Sequence, residues 1–476
     1  MNDATTNETK KGGCVPLWQV AVLFIFLLAS ILVSTRMLGS SAHIPLLLAT
    51  ILATFMALGS GYKYADLEEG MAESIKSAAQ AILLMLIVGI VVGLWILGGI
   101  VPSMIYYGLQ ILSPSFFLVA SLLMCSVILV MTGSSWTTIG TLGVALMGVG
   151  MGLGVPSAMT AGAIISGAYF GDKMSPLSET TNLAPAMAGT DVFSHVKHMA
   201  KTTLPAYVIA AILFTVLGLS FRDHTVDPAT INSYLDCLKS TFTISPIMLI
   251  PPICVILMVI MKVPAIPGMI AVAFLGSIFA GVFQGASMSQ IFAAAYTGFR
   301  ADTGIEAVNN LLNRGGLSSM LDTIALILIA LSFAGVLDRS GMINEVCAAM
   351  LKRAKTERAL LTAALLTTIL CTFTTHAYVT MVVNGRMYRD EFKKRNLHPA
   401  NLSRILEDGG TLCCPLCPWS SDGVYASATL GVATGSYWMY CFLNLINPII
   451  SLICCQTGWT IAHMSADDAE KDVVTL

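Results

Sequence analysis

The stretch GDKMSPLSETTN (residues 171–182) places charged, hydroxyl and amide side chains, together with Pro176, in a chain that is otherwise strongly apolar. A second polar stretch, LEDGGT (residues 406–411), is followed by two prolines, Pro415 and Pro418. Proline and glycine interrupt helices, and an interrupted helix survives inside a bilayer only where it lines a cavity or binds something. The two stretches therefore predict two broken helices in a membrane protein, with a site at the breaks.

The composition excludes an ordinary soluble domain. The 476 residues are 56% hydrophobic and 11% charged, with a mean hydropathy of +0.79. Eight apolar runs approach the ~20 residues that a bilayer helix needs: Leu17–Val33, Pro45–Gly59, Gln80–Val101, Pro205–Ser220, Pro246–Met261, Pro264–Phe283, Thr323–Leu337 and Tyr437–Cys455. Backbone groups in lipid must be satisfied internally, so we expect helices. The prediction is one all-α polytopic membrane domain over residues 1–476, surrounded by a lipid bilayer and without a nucleic-acid partner.

The chain repeats itself at about half its length. Four motifs recur at offsets of 237, 237, 239 and 236 residues: Gly61-Tyr62-Lys63 as Gly298-Phe299-Arg300, Gly98 as Gly335, Ser175-Pro176-Leu177 as Cys414-Pro415-Leu416, and Asp172 as Asp408. Such repeats are typical of secondary transporters, where two copies in opposite membrane orientation create two exchangeable states. We expect a first repeat over residues 43–220 and a second over 264–456.

The basic residues indicate that the two repeats are inverted. Asp338–Arg358 and Arg386–Arg404 together hold 11 of the 25 lysines and arginines, whereas Pro102–Ser115 and Met147–Thr160 hold none. Basic loops stay on the cytoplasmic side, so corresponding loops lie on opposite sides in the two copies. The prediction is a multi-pass protein of the cytoplasmic membrane with both termini inside the cell.

The segment Ala359–Gly385 leaves the cytoplasmic side and returns to it in 27 residues, too few for two full crossings. A re-entrant helical hairpin with its tip near Thr374–Tyr378 fits better. Its partner in the first repeat is Phe116–Gly148, with the tip at Thr132–Thr138; two short full spans there would leave the ends on the same side and stay an alternative. Counting gives about ten transmembrane crossings plus two hairpins and two broken helices.

The polar breaks and the hairpin tips supply candidate ligands. A carboxylate at bilayer depth is costly unless it is paired or functional, which makes Asp172 and Asp408 candidates; a surface ion pair of Asp172 with Lys173 is the alternative. Hydroxyl, amide and carboxylate oxygens suit a small hard cation. The predicted cation ligands are Asp172, Thr181, Asn182, Ser134, Thr137, Asp408, Thr375, Ser420 and Asp422. The candidates for proton coupling are Asp172, Asp408, His376 and Glu179.

Cysteine gives a weak signal. Cys414 and Cys417 match the CxxC spacing of redox or metal sites, but no second such pair and no spaced histidine pair accompanies them. Buried apolar cysteines are the preferred interpretation, and no cofactor is expected.

Four segments resemble the NhaC-type sodium/proton antiporters: residues 171–191, residues 401–411, PLCPW at 415–419 and NLINP at 444–448. The resemblance extends from about Gly61 to Ile450. It implies a fold with inverted repeats and paired re-entrant hairpins, and exchange of Na⁺ for H⁺, with some members exchanging sodium-coupled organic acids instead. The oligomeric state stays open, with a homodimer as one alternative.

This chain departs from the family pattern at three places. The second hairpin tip carries Thr375-His376-Ala377-Tyr378 where the family has Ser-Asp-Gln-Tyr, Ser420 stands in place of asparagine, and Asp422 is an acid where none is expected. A histidine in place of the tip acid leaves the coupling stoichiometry and the substrate open. A neutral His376 that only donates a hydrogen bond is the alternative to a proton carrier.

Three functional hypotheses follow. In the first, Na⁺ (or Li⁺) and H⁺ compete for Asp172 and Asp408, because only a neutralised site crosses the membrane cheaply. In the second, the protein carries a dicarboxylate, lactate or an amino acid together with Na⁺ or H⁺. Half-helix N-termini near Asn182 and Ser421 would hold the carboxylate, together with a free basic group, for which Lys173 is the only nearby candidate. The third, an intramembrane hydrolase, lacks both HExxH and GxSxG, and we expect no enzyme.

Overall fold

The computed structural model describes residues 13, 15–222, 228–261, 263–373 and 377–464, and this part of the chain is almost entirely helical. The first half contains α1 (Leu17–Leu32), α2 (His43–Gly59), α3 (Tyr64–Ser77), α4 (Ala79–Leu97), α5 (Ile100–Ile111), α6 (Pro114–Thr132), α7 (Ser135–Thr138), α8 (Val144–Gly152), α9 (Ser157–Met174), α10 (Glu179–Ala188), α11 (Val192–Leu219) and α12 (Pro228–Thr241). The second half contains α13 (Ile250–Ile260), α14 (Ala265–Gln284), α15 (Met288–Thr297), α16 (Glu306–Leu312), α17 (Leu321–Arg339), α18 (Met342–Arg353), α19 (Glu357–Thr372), α20 (Ala377–Lys394), α21 (Pro399–Leu406), α22 (Ser421–Leu430), α23 (Thr434–Tyr437) and α24 (Phe442–Thr457).

Short π and 3₁₀ turns extend or join these helices, at Val33–Met37, Ile139–Gly143, Pro246–Leu249, Leu317–Met320, Glu407–Thr411, Cys414–Leu416 and Trp438–Tyr440. No strand occurs among the described residues, and the all-α class is confirmed. Both predicted helix breaks are also present, between α9 and α10 and between α21 and α22, where prolines remove backbone donors.

Four helices are long and apolar enough to cross a membrane: Leu17–Thr35, Val192–Leu219, Ile266–Gln284 and Leu317–Arg339. Three bent helix pairs raise the total to seven within the described residues. Large apolar side chains point outward from them, including Phe26, Ile212 and Phe274, as expected of helices that face lipid. The chain is therefore a polytopic membrane protein, while the count of ten crossings stays a prediction.

The apolar run Gln80–Val101 covers most of α4 and continues past a bend into α5. α4 and α5 meet at an angle of 68°. Gly99, between them, has φ 73°, a left-handed conformation that costs other residues about 1–2 kcal/mol and glycine almost nothing. Composition alone does not reveal which glycine of an apolar run adopts this conformation.

The element order repeats with a constant register. α4 begins at Ala79 and α17 at Leu321, 242 residues later. The same interval separates the starts of α5 and α18, α9 and α21, α10 and α22, and α11 and α23. Left-handed glycines follow α10 and α22 at Gly189 and Gly431, again 242 residues apart. This regularity supports two structural repeats, whose bounds of 43–220 and 264–456 stay a prediction.

The 242-residue register differs from the offsets of 236 to 239 residues between the sequence motifs. Gly99 and Gly341, which precede α5 and α18 with φ values of 73° and 70°, follow the register of the helices. At the 242-residue register Asp172 corresponds to Cys414, and Asp408 corresponds to Ser166. The predicted equivalence of Asp172 and Asp408 is therefore wrong.

The helix α3 crosses α17 at very short range. A Cβ atom on Gly335 of α17 would lie 2.4 Å from the backbone oxygen of Gly70 in α3, so the backbones touch. Arg339 of α17 pairs with Glu69 beside this crossing. Small residues allow such close approach between membrane helices, and this one anchors α17.

Both predicted hairpins have helical arms. In the first, α6 turns at Gly133 (φ 66°) into a continuous helix made of α7, a π turn and α8. α6 contains 19 residues and so measures about 28 Å, close to the hydrocarbon thickness of a bilayer. Arms of this length fit a hairpin or two short spans, and both interpretations stay open. In the second hairpin, α19 and α20 flank residues 374–376, which lie outside the described part of the chain.

Candidate functional site: a carboxylate-lined cavity

A cavity of about 480 Å³ lies where the first hairpin turn, the two helix breaks and the helices α13 and α14 meet. Its polar lining consists of Gln80, Ser134, Ser135, Thr137, Asp172, Ser178, Glu179, Thr180, Tyr378, Thr411 and Asp422. Three of the described lining residues are acidic, and none of them is a lysine, an arginine or a histidine. The charge of these walls suits a cation.

Asp172 lies in the last turn of α9, just before the first helix break, and is 7% exposed. Its Oδ1 accepts a hydrogen bond of 2.6 Å from Ser178, and its Oδ2 accepts one of 3.0 Å from Ser135. A carboxylate offers about four acceptor positions, so these two donors leave about half of its capacity unused. None of the ion pairs between described residues includes Asp172. Asp172 therefore lines the cavity and has acceptor positions that no described donor fills.

Asp422, in the first turn of α22, is held differently. Its Oδ1 accepts hydrogen bonds from Trp136 Nε1 at 3.1 Å and the Tyr169 hydroxyl at 2.7 Å. Its Oδ2 accepts from Cys414 Sγ at 2.9 Å and Ser421 Oγ at 3.1 Å. Four donors occupy about all the acceptor positions of a carboxylate. Asp422 is therefore a fixed negative charge in the cavity wall rather than an open ligand.

Glu179 and Thr411 complete the polar wall. Glu179 is the first residue of α10, is exposed, and accepts a 2.6 Å hydrogen bond from the Tyr378 hydroxyl. Thr411 ends the π turn after α21 and is only 2% exposed, yet its Oγ1 makes no hydrogen bond with any described residue. A buried hydroxyl without a partner costs free energy, which a ligand in the cavity would recover.

Asp408 lies outside this cavity, in a buried ionic cluster. Lys173 Nζ donates to its Oδ1, Arg404 Nε lies 3.7 Å from its Oδ2, and Asn447 Nδ2 donates at 2.7 Å. The side chains of Lys173, Arg404 and Asp408 are all 0% exposed. The alternative of a surface ion pair between Asp172 and Lys173 is therefore wrong. The lysine is committed to Asp408 and is not free to bind a solute.

A sequence model of the Na⁺/H⁺ antiporter family matches residues 167–459, which is more than half of the chain and includes both helix breaks. The chain belongs to this family. It is 37% identical over 429 residues to the Na⁺/H⁺ antiporter NhaC of Alkalihalophilus pseudofirmus, which covers 90% of this chain and 92% of that protein. The resemblance to NhaC-type antiporters is thus confirmed.

Other curated relatives are antiporters named for organic solutes. The malate-2H⁺/Na⁺-lactate antiporter of Bacillus subtilis (strain 168) is 38% identical over 443 residues, 93% of this chain and 95% of the relative. The arginine/ornithine antiporter ArcD of Halobacterium salinarum is 33% identical over 460 residues, 96% and 94% of the two chains. Membership in this family makes the protein a transporter rather than an enzyme.

In this member of the antiporter family, five of the predicted site residues line the cavity: Asp172, Glu179, Asp422, Ser134 and Thr137. Ser134 also caps α7, because its Oγ accepts from the backbone N–H of Thr137 at 3.3 Å. Thr375 and His376 lie outside the described residues. Asp408 belongs to the ionic cluster.

Three further predicted ligands stabilise the broken backbone instead of lining the cavity. The Thr181 hydroxyl donates to the backbone oxygen of Asp172 at 2.7 Å. Asn182 Nδ2 donates to the backbone oxygens of Pro176 and Ser178 at 2.8 and 2.7 Å. Ser420 caps α22, since its Oγ accepts from the N–H of Gly423 at 3.0 Å. These groups satisfy the ends of interrupted helices, as the absence of water in a bilayer requires.

Several residues of the cavity were not predicted individually, among them Trp136, Tyr378 and Thr411. Trp136 and Tyr378 lie 242 residues apart, each beside the turn of one hairpin. The sequence feature that could have identified these two residues is therefore an aromatic residue at corresponding positions of the two repeats. Pairing the two aromatic residues requires the 242-residue register of the helices, which differs from the offsets of the sequence motifs.

Proposed function

We propose that this protein is a secondary active antiporter that exchanges Na⁺ (or Li⁺) for H⁺ across the cytoplasmic membrane, with the exchanged cation at Asp172. The observation that carries the proposal is the state of that carboxylate. It lies in a cavity whose described lining is acidic, it is buried at a helix break, and two serine donors leave part of its acceptor capacity open. A buried carboxylate without a basic partner requires a cation or a proton.

Competition for this one group couples the two fluxes. Na⁺ is coordinated by the Asp172 carboxylate with oxygens of neighbouring hydroxyl groups, for which Ser135, Ser178 and Thr411 lie in the same cavity. A proton on Asp172 neutralises the same charge and removes the ligand. Since the empty, charged site crosses the membrane at high cost, the carrier reorients with either ion but not without one. Asp408 has no part in this step because Lys173 and Arg404 already compensate its charge.

The two repeats allow the protein to alternate between two conformations. Trp136 of the first half donates to Asp422 of the second, and Tyr378 of the second half donates to Glu179 of the first. Reciprocal contacts of this kind are expected from two inverted copies that rock against each other around a fixed site. We propose repeats at 43–220 and 264–456 with both termini cytoplasmic.

The test is cation-induced collapse of a pH gradient in proteoliposomes that contain the purified chain, with Na⁺, Li⁺ and K⁺ added in turn. Asp172→Asn is expected to abolish the Na⁺ response. Asp322→Asn is the matched control, because Asp322 lies in α17 with its side chain 89% exposed. A Na⁺ response that persists in Asp172→Asn would overturn the site. A wild-type protein that responds to no cation would overturn ion exchange.

A second candidate is the exchange of an organic solute with Na⁺ or H⁺. The volume of about 480 Å³ favours it, because small-molecule sites usually measure about 300–1,000 Å³ and one dehydrated ion fills little of that space. The relatives named for malate and lactate and for arginine and ornithine support organic cargo in this family. The free basic group that a carboxylate substrate needs is absent from the described lining, where Lys173 was the only candidate.

A further inference from the structure

The cavity wall has an apolar part as well as a polar one. The acidic residues come from the helix breaks, whereas the described lining residues of α13, α14 and the segment between them are apolar: Val255, Met258, Val263, Pro264, Met269 and Val272. Apolar surface offers nothing to an inorganic cation, but it stabilises the aliphatic part of an amphipathic solute by about 25 cal/mol per Å² buried. The lining therefore favours a solute with a charged group and an alkyl chain.

Two aromatic side chains in the wall are each paired with an acid. Trp136 stacks on Tyr425 with ring centroids 4.4 Å apart and planes within 6°, and its indole N–H is bound to Asp422. The Tyr378 hydroxyl is bound to Glu179. Ammonium and guanidinium groups are attracted both to carboxylates and to the faces of aromatic rings, most strongly to tryptophan. An aromatic ring held rigidly beside a carboxylate is a site for such a group.

The same helix ends disfavour an anionic solute. The N-terminus of a helix attracts negative charge, and α10 and α22 both begin at the cavity. Each already carries an acid in its first turn, Glu179 in α10 and Asp422 in α22. A carboxylate on a solute would meet these resident charges, with no described basic residue in the lining to compensate.

An independent feature points to a ligand at this place. The Thr411 hydroxyl lines the cavity, is 98% removed from solvent, and makes no hydrogen bond with a described residue. A hydroxyl oxygen accepts hydrogen bonds, and an ammonium or guanidinium group carries only donors. The unsatisfied group in the wall and the proposed ligand are complementary.

We propose that the cavity binds and transports a net-cationic organic solute, an aliphatic chain that carries a primary ammonium or guanidinium group. The cationic group lies among Asp172, Glu179 and Thr411 and against the ring of Trp136, and the alkyl chain contacts the apolar wall of α13 and α14. This inference rests on the proposed function in one respect, namely that the cavity is the transport site.

The first test is direct binding. Purified full-length protein in lipid nanodiscs is titrated calorimetrically with agmatine, n-butylamine and L-malate, with and without Na⁺. We expect the two amines to bind and Na⁺ to compete with them, while L-malate gives no binding. Trp136→Leu should weaken agmatine binding roughly 3- to 30-fold relative to Trp136→Phe, which keeps an aromatic face. Both variants lose the indole N–H, so the comparison isolates the ring.

Transport assays in the same lipids separate this inference from the proposed function. If Na⁺ collapses the pH gradient but neither amine binds or drives proton movement, the organic-cation inference is overturned and Na⁺/H⁺ exchange stands. If the amines drive proton movement and Na⁺ does not, the inference stands and Na⁺/H⁺ exchange fails. Binding of L-malate in preference to the amines would overturn the inference. The wild-type competition experiment needs no variant, so misfolding of a Trp136 variant does not compromise the test.

Discussion

Asp172 and Asp408 are expected to respond to the same neutralising change in opposite ways. Asp408→Asn leaves Lys173 and Arg404, both fully buried, without the carboxylate that compensates them. Removing one partner of a buried pair costs about 3–5 kcal/mol, and here two cations lose one partner, so we expect the upper end of that range. Single domains are stable by only about 5–15 kcal/mol, and Asp408→Asn should therefore unfold much of the protein.

Asp172→Asn should leave the fold intact. Asp172 has no ion-pair partner among the described residues, and its oxygens accept only from Ser135 and Ser178. The amide oxygen of asparagine keeps one of these hydrogen bonds, and the other hydroxyl can rotate to accept from the amide nitrogen. Because the charge that needed a counter-ion is also gone, we expect a net loss of about 1 kcal/mol or less.

The assay is thermal unfolding of detergent-purified variants, followed by tryptophan fluorescence and by the monodisperse fraction in size-exclusion chromatography, alongside the pH-gradient assay. Lys173→Met combined with Asp408→Asn should recover about 0.5–3 kcal/mol relative to the sum of the single changes, since the two groups contact each other. An Asp408→Asn protein as stable as wild type but inactive would refute this reasoning and return Asp408 to the transport site. An unfolded Asp172→Asn protein would refute the description of Asp172 as unpaired.

Three further predictions concern the cavity and the fold. Ser178→Ala removes a 2.6 Å hydrogen bond to Asp172, worth about 1.5–3 kcal/mol. The Na⁺ concentration for half-maximal exchange, measured by Na⁺ titration, should therefore change roughly 10-fold or more. An unchanged value would contradict the proposed site. Thr411→Val removes an unsatisfied hydroxyl, so the midpoint of thermal unfolding should stay the same or rise. The affinity for the cation should fall. A loss of stability would mean that the hydroxyl has a hydrogen-bond partner. Gly335→Ala places a Cβ 2.4 Å from a backbone oxygen of α3 and should lower the free energy of unfolding by about 1–3 kcal/mol, measured by thermal unfolding. Gly435→Ala serves as the control, because a Cβ atom there meets no atom within 4 Å. Equal stability of the two variants would refute the close crossing.

Composition and proline positions were sufficient to predict an all-α membrane protein with two broken helices, because the physics of an unsatisfied backbone in lipid leaves few alternatives. The bend at Gly99 was not predictable, since one left-handed glycine among many looks like any other in an apolar run. The register of the repeats was not predicted either, because short matches such as Gly98 with Gly335 do not follow the 242-residue spacing of the helix starts.

The site was partly predictable for a related reason. Asp172 and Lys173 are neighbours in sequence, but successive residues of a helix point about 100° apart. Asp172 consequently lines the cavity, while Lys173 reaches Asp408, 235 residues later in the chain. A linear motif marks which segments hold the chemistry, but not which of its charged residues faces the cavity and which is neutralised behind it.

The symmetry of the two halves also argues that one carboxylate carries the exchange. At the 242-residue register the aromatic residues Trp136 and Tyr378 correspond, and each donates to an acid in the first turn of the other half's broken helix. Asp172 has no such counterpart, because its equivalent is Cys414, which donates to Asp422. The shared contacts are those that two alternating conformations can exchange, whereas Asp172, with two serine donors and open acceptor positions, belongs to the first half alone. We therefore expect cation and proton to exclude each other at Asp172, and this exclusion is what an antiporter requires.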